Sequence, residues 1–102
     1  MRDLYHPRLE DVDIANVLHA LSDPVRLEIV RVLAGVDEVP CSSLNGSVSK
    51  STMSHHFKVL REAGVTHTRA TGTKRLMSLR ERELEERFPG LLSSILQAAK
   101  AA

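Results

Sequence analysis

Ser51, Ser54, His55 and Lys58 are the residues whose types and spacing suggest chemistry. At about 100° per residue they share one side of a helix, while Met53, Phe57 and Leu60 fall opposite, with Ala63 at the margin. Short hydroxyls, an imidazole and an ammonium offer hydrogen bonds and positive charge. A merely solvated face would be richer in Glu and Lys. This set suits a negatively charged surface dense in acceptors, and duplex DNA has both properties. Catalysis fits poorly. His55 and His56 are adjacent, so their faces differ: His55 points to the polar side and His56 toward the core margin. No carboxylate is spaced to orient either. The five glycines fall at turns and helix ends, not in a phosphate-cradling loop. With one Tyr, two Phe and no Trp, the chain lacks stacking platforms for single-stranded nucleic acid.

The helix carrying this face has marked ends. Ser49 can cap the first-turn amides, and Gly64 can take the left-handed conformation that stops a helix. Ser49, Lys50 and Thr52 in its first turn join Ser51, Ser54, His55 and Lys58 as the expected DNA-contacting set. Upstream, Asp23 as cap and Pro24 as first residue start a helix that runs to Ala34 and stops at Gly35. Its apolar residues, Val25, Leu27, Ile29, Val30, Val32 and Leu33, place it at the centre of a core. Asp37–Pro40 reads as a surface connection. Cys41–Leu44 gives at most one helical turn before the Asn45-Gly46 turn pair. A short helix, a turn and a polar-fronted helix make a helix-turn-helix. Downstream, β-branched Val65–Ala70 and Thr73–Leu79 flank a turn at Thr71-Gly72. Arg69, Lys74 and Arg75 cluster near that hairpin's tip, as the wing of a winged helix would place them. The expected fold is mainly α with a small β-hairpin, a winged helix-turn-helix.

Charge distribution agrees. Residues 1–48 hold four basic and eight acidic side chains, residues 49–80 seven basic and one acidic, and residues 81–102 three basic and four acidic. Net charge is only +1, yet the basic charge gathers around the polar-fronted helix and hairpin, as phosphate binding requires.

The 102 residues form one expected domain, 1–102. Residues 1–8 read as an arm. A helix is expected over Leu9–Leu21, with Asp11 and Asp13 in its first turn and His19 partly buried. Residues 80–102 read as a helical segment broken at Phe88-Pro89-Gly90. Ile14, Val17 and Leu18 of the first helix, with Leu92, Ile95 and Leu96 of the last, are the expected two-fold dimer interface. Without an apolar run near 18 residues or a signal-peptide pattern, and with Cys41 as its single cysteine, the chain is expected to be cytoplasmic with no membrane partner.

Ala20–Leu27 and Ser49–Gly64, at this separation, resemble the arsenic-repressor-type (ArsR/SmtB) transcription regulators, and the resemblance continues through the hairpin to about residue 80. It implies a dimeric winged helix-turn-helix protein that binds operator DNA in the major groove and is commonly released by a metal or another effector. The family's Cys-x-Cys metal pair is replaced here by Cys41-Ser42-Ser43, and residues 80–102 contain no His, Asp or Cys for the family's other site. Glu83 and Glu86 read as a solvated cluster beside Arg82 and Arg87. The expectation is therefore a sequence-specific double-stranded-DNA-binding regulator that acts as a homodimer on a palindromic operator. It has no catalytic residues, cofactor or recognisable metal site, and its effector is unknown. The alternatives are a metal-responsive repressor with a non-standard site, and a winged-helix module for protein contacts.

Overall fold

The computed structural model describes residues 4–101. Helix α1 spans Ile14–Ala20, α2 Pro24–Ala34, α3 Lys50–Glu62, α4 Glu81–Arg87 and α5 Leu91–Ala101. Strands β1 (Val39–Pro40), β2 (Thr66–Thr71) and β3 (Lys74–Leu79) form one antiparallel sheet in the order β1-β3-β2.

Side-chain caps fix the helix starts. Asp23 accepts from the amides of Val25 and Arg26 at 2.8 and 3.2 Å, with Pro24 opening α2 as expected. Asp13 accepts from the Ala15 amide at 2.7 Å, so α1 begins at Ile14. The continuous helix expected from Leu9 is corrected: Leu9–Asp11 is a single 3-10 turn, and Val12 is extended and buried. Val12 packs where α3 ends. There Gly64 takes φ +86°, and a Cβ on it would lie 2.5 Å from a Val12 methyl. The Val65 amide reaches back to the Leu60 carbonyl, closing α3 with Gly64 in a left-handed cap.

The hairpin is a sheet of three strands. The expected surface connection is corrected at its end, because Val39 and Pro40 pair with Met77 and Leu76 of β3. A two-residue edge strand is too short to show a period, and an edge tolerates a proline without an amide hydrogen. The turn between β2 and β3 is two residues, with Gly72 at φ +59° in its first position.

The core is one cluster that joins Val17 and Ala20 of α1 to Ile29, Val30 and Leu33 of α2, Met53 and Leu60 of α3, Met77 of β3, Leu84 of α4 and Leu92 of α5. The terminal segment does break at Phe88–Gly90. Part of the expected arm is docked. The His6 ring nitrogen Nε2 accepts from the Thr68 amide at 3.0 Å, and the buried Pro7 passes its carbonyl to Arg80. Residues 1–3 of that arm lie outside the described residues. Arg80, 7% exposed, also forks onto Glu83 at 3.0 and 2.8 Å, so the half-exposed Glu83 is paired with a buried arginine and not with Arg82 or Arg87. The Arg80 hydrogen bonds hold the Glu83 carboxyl below its ordinary pKa.

Candidate nucleic-acid interface

Helix α3 is anchored from behind. Met53 and Leu60 are fully buried, and Phe57 is half-buried against the core. His56 is buried with Nδ1 3.2 Å from the Arg26 guanidinium. Arg26 also donates to the Ala20 carbonyl at 2.7 Å and the His19 carbonyl at 3.3 Å. It thereby ties the end of α1 and the start of α2 to the middle of α3. The His19 side chain itself is exposed, against the expectation of partial burial, and only its carbonyl is engaged.

On the opposite face Lys50, Ser51, Thr52, Ser54, His55 and Lys58 are all exposed. Ser49 is the N-cap: its Oγ accepts from the Thr52 amide at 3.3 Å and donates to Thr52 Oγ1 at 2.8 Å. Ser49 and Thr52 thus hold the helix start, with the Ser51 hydroxyl 3.5 Å from Ser49 Oγ, while Ser54, His55 and Lys58 stand free of that cap.

The wing carries the other candidates. Lys74 and Arg75 are exposed, and among the described residues neither pairs with an acid. Arg69 differs. It forks onto Glu38 at 2.7 and 2.9 Å, reaching across β3 toward the start of β1. That fork lowers the Glu38 pKa and leaves Arg69 paired with an acid, where the sequence suggested a free cation. Between α3, the 3-10 turn Cys41–Leu44 and the wing lies a recess of about 490 Å³ lined by Lys50, Ser54, Arg61, Thr68, Lys74 and Arg75, among others. Cys41 opens on it half-buried. Burial pushes its thiol pKa up, against the nearby Arg75 and Arg61 charges. Among the described residues no three His, Cys, Asp or Glu side chains converge as a metal site would need.

The expected interface residues divide. Val17 and Leu92 are buried inside the protomer, where they meet with Leu21, Leu84 and Leu91 between α1 and α5. They have little surface left for a partner. Ile14 and Leu18 are each 45% exposed, and Ile95 and Leu96 are half-buried. Arg26 was missed as the residue that ties the helices behind α3, and Arg61 as part of the recess lining. Arg26 lies within the Ala20–Leu27 block, and Arg61 follows Lys58 by one helical turn, but nothing local distinguishes either from a surface cation.

Comparison with known proteins places this geometry. A helix-turn-helix domain family matches residues 21–69. The chain is 39% identical over 84 residues to the uncharacterized HTH-type transcriptional regulator YceK of Bacillus subtilis (strain 168), covering 79% of this chain and 84% of that one. It is 34% identical over 74 residues to the arsenical resistance operon repressor of Staphylococcus xylosus, covering 72% and 71%. Its fold matches the homodimeric winged helix-turn-helix DNA-binding domain Mb0332 of Mycobacterium bovis with a TM-score of 0.68 at 21% identity, over 86% of this chain and 78% of that one. These relatives are regulators of transcription and not enzymes. A capped polar helix on a buried back, a basic wing and these relationships lead to one assignment: the chain belongs to the arsenical-repressor-type (ArsR) family of winged helix-turn-helix transcriptional regulators.

Proposed function

We propose that this regulator binds an imperfectly palindromic operator as a homodimer, with α3 of each protomer in the major groove and the wing on the adjacent backbone. The observation that carries the proposal is the division of α3. Its back is locked by Met53, Leu60 and the Arg26–His56 contact, and its front presents Ser51, Ser54, His55 and Lys58 to solvent. A rigid helix with short polar groups can approach base edges closely, which long flexible side chains would prevent. Lys50, Lys74 and Arg75 supply phosphate contacts, and Ser49, Thr52 and Arg69 shape the surface more than they touch DNA. The dimer forms through Ile14 and Leu18 of α1 with Ile95 and Leu96 of α5. The buried side chains of the two helices line one small space with Leu84 of α4, and these four side chains are left at least partly uncovered. The homodimeric state of the Mb0332 domain supports this arrangement. DNA binding needs no metal in this account, and stoichiometric zinc, nickel or cadmium does not release the operator.

Selection of bound sites from random duplex DNA tests the proposal. It should return two half-sites with centres about one helical turn, or a multiple, apart. Recovery of DNA without any shared sequence would favour a protein-contact module instead.

A further inference from the structure

Among the described residues, three buried side-chain polar atoms have no hydrogen-bond partner, and two of them belong to residues of the same recess. They are Nε of Arg61 on α3 and Oγ1 of Thr68 on β2. Thr68 is only 5% exposed. A buried polar group left without a partner is costly, and a guanidinium N–H more so than a neutral one. Arg61 Nε–H can only donate and the Thr68 hydroxyl can donate or accept, so an acceptor in the recess would satisfy both. The rest of the lining agrees with this demand. Lys50, Lys74 and Arg75 contribute three more cations, and no acidic side chain lines the recess. Arg61 from α3 and Arg75 from the wing both lie near enough to Cys41, across the recess, to oppose the rise that burial imposes on its thiol pKa.

We propose that the recess between α3 and the wing binds a small oxyanion of the phosphate type, held by the Arg61 guanidinium and the Thr68 hydroxyl. A phosphate group offers several acceptor oxygens around one centre and a negative charge, which matches two orphaned donors among cations. A recess of about 490 Å³ has ample room for it. Its walls come from the recognition helix and from the wing, so an occupant joins the two elements and fixes their relative position. The chemistry is shared by two sources, a backbone phosphate of bound DNA and a free anion. Any consequence for operator binding rests on the function proposed above, whereas the existence of the site does not.

The test is nuclear magnetic resonance of the full chain without DNA, following the Arg61 Nε–H and Thr68 amide signals. Sodium phosphate is titrated against sodium chloride at matched ionic strength. Phosphate should shift both signals saturably and chloride should not. Thr68→Val keeps the side-chain shape and removes the hydroxyl, and should weaken phosphate binding about tenfold, the loss of one charge-assisted hydrogen bond. Arg61→Lys keeps the charge and removes Nε, and should weaken it at least as much, so the proposal stays testable if one variant fails to fold. Coincident phosphate and chloride curves, or a folded Thr68→Val that binds phosphate as tightly as the parent, would overturn the site. A second arm repeats the titration on the DNA complex. A shifted Arg61 signal before phosphate is added, with no further response, identifies a DNA phosphate as occupant; continued titration identifies a free anion.

Discussion

Replacing Arg26 with alanine removes the guanidinium that ties α1, α2 and α3 together, and its cost can be worked from the contacts. Arg26 is 7% exposed and donates to the Ala20 carbonyl at 2.7 Å and the His19 carbonyl at 3.3 Å, with His56 Nδ1 at 3.2 Å. A guanidinium only donates, so in this contact His56 Nδ1 is the acceptor. The His19 carbonyl is only partly buried and can turn to water. The Ala20 and His56 contacts are buried, and each acceptor orphaned there costs about 1–3 kcal/mol. Loss of the packed aliphatic stem adds to this. We expect Arg26→Ala to cost about 3–5 kcal/mol, a large part of the roughly 5–15 kcal/mol that holds a domain of this size. The assay is urea unfolding followed by circular dichroism at fixed protomer concentration, since dimer formation would otherwise shift the midpoint. With m near 1–3 kcal/mol per molar, the midpoint should fall by at least about 1 M. A loss below about 1 kcal/mol, the range of ordinary surface changes, would refute the claim that Arg26 is the internal tie.

Three further outcomes are expected. Neutralising Lys74 or Arg75 should flatten the slope of log affinity against log salt by about 0.9 per phosphate contact, and Arg69→Ala should do so less because Glu38 already holds that guanidinium; equal slopes for all three variants would contradict the ion pair's role. Burial, then the neighbouring His67 and Arg61 charges, pushes the His6 pKa below its ordinary 6.5. The unfolded chain therefore takes up a proton that the docked arm refuses. Stability should be full above pH 6.5 and fall as pH drops from there through the lowered value, and His6→Ala should fall less steeply in urea titrations across that window. Glutamates at both Ile14 and Leu18, each 45% exposed, should give a monomer by sedimentation, and an intact dimer would remove α1 from the interface.

The elements that hold the interface were legible because each had a local signal. Ser49 and Gly64 bracket α3 as observed, Asp23-Pro24 starts α2, and Gly72 marks the hairpin turn. What escaped depends on partners distant in sequence. Arg69 meets Glu38 31 residues away, and His6 meets Thr68 62 residues away. A charged residue in a sequence is read as exposed by default. Arg26 and Arg80 are buried only because helix-end and arm carbonyls, with His56 and Glu83, satisfy them. The apolar stripes of the outer helices were visible. Periodicity could not say that Val17 and Leu92 face each other's helix within the protomer while Ile14 and Leu18 face outward, because both outcomes have the same period.

The central claim is that the free face of α3 reads DNA sequence. Its most direct test is the affinity of Ser54→Ala and His55→Ala for the selected operator and for random duplex DNA of equal length, in the same salt. Both side chains are exposed and stand outside the core, so the fold should survive their loss. Each variant should lose about 1–3 kcal/mol on the operator and clearly less on random DNA. Equal losses on both would show that these side chains contribute only general affinity, and would contradict the claim.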